Sequence, residues 1–171
     1  ELLDRVVHGG ELVEERDAAL HGDQPRMVRE ELVDALVEFD RLGRSASVEV
    51  RIDTRSVSTG VGVLDARLCG TELLDCEAHP QALFRATQFS FGDSGLPTQA
   101  IGSLTLRGKT LPLTLKAQRF NCYPNLLLLR EVCGGDFEAT IAPAAFGIQS
   151  GGASGLPERI PIVVQVEAIK Q

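Results

Sequence analysis

IGSLTLRGKTLPLTLKAQRF, residues 101–120, alternates apolar and polar positions twice. Leu104 and Leu106 lead into Arg107-Gly108-Lys109-Thr110, and Leu113, Leu115 and Ala117 lead away from it. A period of two on both sides of a glycine-bearing turn is the pattern of an antiparallel β-hairpin with one buried face. The same stretch imitates a phosphate loop and fails as one. Gly102 and Gly108 have five residues between them where the motif needs four, and a hairpin offers no helix N-terminus to hold a phosphate.

Outward from this hairpin the period stays at two. SASVEVRID (45–53) sets Val48, Val50 and Ile52 against Ser47, Glu49, Arg51 and Asp53. ALFRATQFSF (82–91), DFEATIA (136–142) and IPIVVQVEAI (160–169) read likewise between Gly, Pro, Asp and Asn turn signals. ALVEFDRLGRSASVEVRI (35–52) reads as a further hairpin, turning at Leu42-Gly43. GVGVLDARLCGTELLDCEAHP (60–80) breaks the pattern with a helical period that places Val61, Leu64, Leu68 and Leu73 on one side; Gly70 interrupts it and His79-Pro80 ends it. The expected fold class is all-β, a barrel or sandwich of antiparallel strands with one crossing helix.

Residues 1–34 do not join this pattern. ELVEERDAAL and RMVREELVDALVEF are rich in Glu, Leu, Ala and Arg, and Val28, Leu32 and Leu36 fall at i, i+4 and i+8, a helical or loosely ordered reading. Residues 1–40 hold twelve acids against four arginines, a net of −8, so the overall −7 belongs to this segment and the remaining chain is near neutral. The expected organisation is an atypical acidic segment, 1–34, followed by a barrel domain, 35–171.

At 171 residues the chain is one domain's worth and needs no disulfide merely to fold. Its acidity argues against a nucleic-acid surface, which requires clustered Lys and Arg. No apolar run approaches the roughly 20 residues of a membrane helix, Leu126–Leu129 being far too short, and no signal-peptide pattern opens the chain. The protein is therefore read as not integral to a membrane.

Candidate chemistry is sparse. SGGASGLPER (150–159) has neither G-x-S-x-G nor G-x-G-x-x-G spacing and reads as a connection before the last strand. His8, His21 and His79 lack metal-ligand partners at familiar spacing, so no metal site and no catalytic residue are assigned. Cys69 and Cys76 lie about 10 Å apart along a continuous helix, beyond disulfide reach, and are expected as two small thiols unless the break at Gly70 changes the geometry. Cys122 and Cys133 flank a stretch of loop residues, Tyr123-Pro124-Asn125 and Gly134-Gly135, whose ends return to one another. A structural bridge is favoured there over free thiols or metal ligation.

SASVEVRIDTRSVSTGVGVLDARL, EAHPQALFRAT, GSLTLRGKTLPLTL and RFNCYPNLLLLREVCGGDFEATI, in this order and spacing, resemble the YceI family of bacterial polyisoprenoid-binding proteins over about residues 37–169. The resemblance implies a lipocalin-like, eight-stranded antiparallel barrel with one helix, usually periplasmic or secreted, that holds an isoprenoid chain in its interior. It also implies a Cys122–Cys133 bridge. An eight-stranded barrel is the size that holds one small ligand. The expected cavity wall is Val48, Val50, Ile52, Phe84, Leu104, Leu106, Leu113, Leu115, Phe137, Ala139, Ile141, Val164 and Val166. The cargo would be an isoprenoid quinone or a polyprenyl phosphate, bound without catalysis. The start departs from the family's L-D-P-x-H-like pattern: Leu3-Asp4 and His8 echo it, with Arg5 in place of proline. Two rival readings are a self-associating domain, a homodimer with a filled core, and a thiol redox protein using Cys69 and Cys76.

Overall fold

The computed structural model describes residues 3–4, 33–127, 129–152 and 155–169. The strands are β1 (Leu3–Asp4), β2 (Val33–Asp40), β3 (Ser45–Asp53), β4 (Gln81–Phe91), β5 (Pro97–Leu106), β6 (Lys109–Asn125), β7 (Arg130–Ile141) and β8 (Ile160–Ile169). Each pairs antiparallel with the next, in sheet order β1 to β8. One short helix, α1 (Gly62–Leu68), lies between β3 and β4.

Seven long strands make the sheet, and it is strongly curled. Phe39 on β2 meets the ring of Phe120 on β6 with centroids 5.9 Å apart, although β2 and β6 are not neighbours in the ladder. Arg41, just past β2, reaches Glu131 on β7 at 3.4 Å. The curl brings Cα atoms of β1 and β8 within 8 Å, yet among the described residues no ladder joins them. The eight-stranded closed barrel is thus corrected to a curled seven-strand sheet with a two-residue β1 on its edge. The helical reading of Val28, Leu32 and Leu36 is corrected at its last member: Leu36 pairs with Glu49 inside the β2–β3 ladder. Cross-strand pairing decides there, as strand context overrides a weak helical preference. Val28 and Leu32 lie outside the described residues, as does most of segment 1–34. The two residues that echo the family start, Leu3 and Asp4, pair with Phe39 and Glu38.

The hairpin of the opening stretch forms where its alternation places it. Arg107 and Gly108 both have positive φ, 50° and 71°, as the two-residue turns whose twist matches the flanking strands require. The β2–β3 turn is held by Asp40, whose Oδ1 accepts from the amides of Leu42 and Gly43 at 3.0 and 2.9 Å. The Gly43 amide, favouring the anion, keeps this carboxyl below its ordinary range.

Of three register shifts in the ladder, two face glycines. β4 slips register between Ala86 and Gln88, and β6 between Ala117 and Arg119. Opposite each stands a glycine whose missing side chain lets the backbones close. A Cβ on Gly102 would lie 2.0 Å from the Arg85 carbonyl, and one on Gly135 would lie 1.9 Å from that of Arg119.

The core is one apolar cluster inside the curl, with Phe84, Leu104, Leu115 and Phe137 from the strands. Leu68, Leu73, Phe146 and Ile148 come from the connections at one end. A second cluster, around Phe39, Phe91, Phe120 and the Cys122–Cys133 sulfurs, fills the other end.

The helix is shorter than its sequence period suggests. It ends at Leu68, with Cys69 as C-cap and Gly70 closing the turn; Val61 and Leu64 are exposed, and only Leu68 of the helix is buried.

Candidate functional site

Strand alternation puts each of the thirteen expected wall residues into the inner apolar cluster, with a graded exposure. Val50, Phe84, Leu104, Leu106, Leu115 and Phe137 are buried. Val48, Ile52, Leu113, Ala139, Ile141, Val164 and Val166 are half-buried. On β4 and β5, Ala82, Phe84, Ala86, Ala100 and Leu104 are buried. Half-buried inner positions occur on β3 (Val48, Ile52), β6 (Leu113, Ala117), β7 (Ala139, Ile141) and β8 (Val164, Val166), beside buried ones such as Val50 and Phe137.

The outer face carries charged and polar pairs, with scattered apolar residues such as Ile101 and Val163. Glu49 accepts from Arg85 Nε at 2.5 Å and also pairs with Arg51. Thr105 and Thr110 hydroxyls meet at 2.8 Å, and Gln165 donates to Asp136 at 3.0 Å. The Arg85 hydrogen bond is the main cause that holds the Glu49 carboxyl below its ordinary range. Apolar inside and charged outside is the reverse of a membrane-spanning β-barrel, whose outward band is apolar. Among the described residues no helix is long and apolar enough to cross a membrane.

Polar groups near the interior are few. Thr54 is buried and its Oγ1 donates to the His79 carbonyl at 2.7 Å. Ser56, in the same 3-10 turn, is buried with a hydroxyl that has no hydrogen-bond partner. An open depression of about 380 Å³ lies on the outer face at the β4–β5 bulge, lined by Arg85, Thr87, Gln88, Ile101, Gly102 and Ser103. None of the thirteen wall residues lines it.

Both cysteine pairs are bridged. Cys122 and Cys133 are directly opposed partners in the β6–β7 ladder, Cα atoms 4.0 Å apart. They were expected at the ends of a long loop. Instead β6 runs on to Asn125 and β7 starts at Arg130, so only a short connection separates them. The expectation of two free thiols at Cys69 and Cys76 is overturned. The helix stops before Cys69, the chain doubles back through Gly70, and the Cα atoms come to 4.9 Å. Cys76 is 3% exposed, its Sγ 3.3 Å from the Thr54 carbonyl. Its partner Cys69 is half-buried, and the bridge closes the turn that follows the helix. Cys122, Cys133 and Glu131 bring ligand-type atoms within 4.8 Å of one another. The bridge occupies both sulfurs, however, and Glu131 pairs with Arg41.

Several inner residues were not in the expected wall: Phe39, Phe89, Leu111, Ala117 and Phe120. Phe89 and Phe120 follow the bulges, which change the parity of the alternation, so an uninterrupted period of two assigns them to the wrong face.

A YceI-like domain matches residues 27–168, most of the chain. The chain belongs to the YceI-like family. Over 86 residues it is 37% identical to a UPF0312 protein of Pectobacterium carotovorum and 38% identical to protein YceI of Salmonella arizonae. Those alignments span 50% of this chain and 44% of each relative's length, so under half of either relative is matched. Among solved structures, the Campylobacter jejuni YceI protein superposes with a TM-score of 0.71 at 18% identity, covering 96% of this chain and 94% of that one. Burkholderia cenocepacia BcnA gives 0.62 at 19% identity, covering 80% and 83%. A polyisoprenoid-binding domain from Saccharophagus degradans gives 0.50 at 15% identity, covering 80% and 82%. At these identities the likeness is one of fold, and it is the YceI fold that the curled sheet and its short helix reproduce.

Proposed function

We propose that this YceI-like domain binds an amphiphilic isoprenoid lipid, a quinone or a polyprenyl phosphate, along its inner apolar face and carries or sequesters it without catalysis. The observation that carries the reading is the partly accessible apolar face inside the curl. Val164 and Val166 on β8, Ala139 and Ile141 on β7, and Val48 and Ile52 on β3 present half-buried apolar surface there, and among the described residues no ladder joins β1 to β8. A flexible hydrocarbon chain entering there removes surface from water on both partners. Each fully buried five-carbon unit gains about 4 kcal/mol before ordering costs are subtracted, so affinity needs no reactive group. Family membership supports the reading, as does the fold likeness to a domain described as polyisoprenoid-binding.

Two bridges in one chain favour an oxidising compartment, which supports a periplasmic or secreted location. Native mass spectrometry of the purified protein, before and after incubation with a quinone and with a polyprenyl phosphate, tests the binding. A mass increment matching an isoprenoid is the expected result. Protein that arrives empty and takes up neither compound would sink the reading.

A further inference from the structure

The inner face of the ladder carries no polar side chain between its two ends. Over residues 33–39, 46–52, 82–91, 100–106, 111–122, 133–141 and 160–168, each inward position is Ala, Val, Leu, Ile, Phe, Gly or a bridged Cys. β8 shows the run, with Ile160, Ile162, Val164 and Val166 half-buried and Ala168 buried. Among the described residues, the first charged side chains on the same parity of the ladder lie past these runs. They are Lys109, exposed beside Gly147, and Glu131, which pairs with Arg41. At the α1 end Arg107 is committed to the carbonyls of Thr71, Glu72 and Gly147, and Thr54 to that of His79. That leaves the neutral Ser56 hydroxyl as the one buried side-chain donor without a partner among the described residues.

We infer that this interior selects hydrocarbon alone: the prenyl tail of the cargo enters, the headgroup stays in water, and a prenyl phosphate binds like the prenyl alcohol with the same tail. This rests on the isoprenoid-binding reading above and names what that site discriminates, the chain and not the charge it carries. An ionised phosphate moved inside would lose its hydration with no cation to replace it, and a single neutral hydroxyl cannot do so. A head that is hydrated both free and bound cancels from the binding equilibrium. What remains is transfer of the tail, which becomes more favourable with each methylene buried. Lys109 alters this little, because attraction between charges in water is weak and screened by salt.

Equilibrium dialysis of the wild-type protein against farnesol, farnesyl phosphate, geraniol and geranyl phosphate, each below its micelle concentration, reads head and tail separately. Farnesol and farnesyl phosphate should agree within about threefold. Each should bind at least about tenfold tighter than its geranyl counterpart, which is one isoprene unit shorter. Ser56→Ala, which leaves the apolar face untouched, should keep the affinity for farnesol within about twofold. A difference of about tenfold or more between farnesol and farnesyl phosphate, in either direction, overturns the inference while leaving isoprenoid binding in place. So does equal affinity for geranyl and farnesyl tails, or a loss of about tenfold in farnesol binding on Ser56→Ala, which would put the head inside. Uptake of none of the four contradicts the isoprenoid reading itself and takes the inference with it. The head comparison needs no variant, so a damaged mutant would not blunt it.

Discussion

The two ends of the curled sheet are built by opposite means. At one end the chain from Thr54 to Pro80 and the connection after β7 leave the ladder and wrap across the core as irregular backbone. Such backbone has carbonyls with no ladder partner, and they must be satisfied another way. Arg107, projecting from the β5–β6 turn, donates to the carbonyls of Thr71, Glu72 and Gly147; Thr54 ties the segment's start to His79 and Pro80; Cys69–Cys76 closes it. At the other end the ladder satisfies itself up to the short connections after β2, β4 and β6. What fills the space beneath is an aromatic cluster and a second bridge. Polar clamps hold the first end and packing holds the second. At the second end the exposed Leu42, Leu126, Leu127 and Leu129 stand on the turns.

Breaking the packed end should cost most. Gly135→Ala forces a Cβ into the Arg119 carbonyl and the backbone beside Phe120, so a loss of about 3 kcal/mol or more in urea unfolding is expected. The bridges come next. By chain entropy Cys122→Ser/Cys133→Ser should cost about 2.8 kcal/mol and Cys69→Ser/Cys76→Ser about 2.4 kcal/mol. A measured reversal of that order would show that the wrapped end relies on its staple more than on Arg107. Arg107→Ala, which strands three carbonyls at the wrapped end, should cost about 2 kcal/mol, read as a fall in Tm of several degrees. Ser56→Ala removes a buried hydroxyl with no partner and should be neutral or stabilising by up to about 1 kcal/mol; a marked loss would mean the hydroxyl is satisfied in solution.

The smallest effect is electrostatic and belongs to the packed end. Asp40 has a carboxyl pKa depressed below the ordinary 3.8 by the Gly43 amide. Its contribution is therefore present above that value and is lost as pH falls through the folded-state pKa. Asp40→Asn should flatten the acid limb of a Tm-against-pH profile slightly and leave neutral pH almost unchanged.

How far the sequence revealed this depended on parity. Leu104, Leu106, Leu113 and Leu115 flank a two-residue turn with no bulge between, and alternation alone assigns their face correctly. Beyond Ala86 and Ala117 the bulges invert the count, which hid Phe89 and Phe120 and with them the aromatic fill of one end. The Cys69–Cys76 bridge was hidden by helix geometry: seven residues of continuous helix forbid it, and a helix that ends at Leu68 permits it. The Arg107 clamp leaves no local signal, because its partners lie 35 to 40 residues away. Motif resemblance supplied what periodicity could not, the family and its fold, while Leu126, Leu127 and Leu129 stood out because nothing in a β-turn calls for them.

Neighbouring valines on β8 offer the most direct test that the inner face is a lipid site: Val164 points into the curl, half-buried, and Val163 points outward, 56% exposed. Titration of a polyprenyl phosphate into wild type, Val164→Trp and Val163→Trp should show the inward indole lowering affinity by about tenfold or more, and the outward one leaving it unchanged, as a filled apolar pocket requires. Equal affinity for all three, or no uptake by the wild type, would contradict the account.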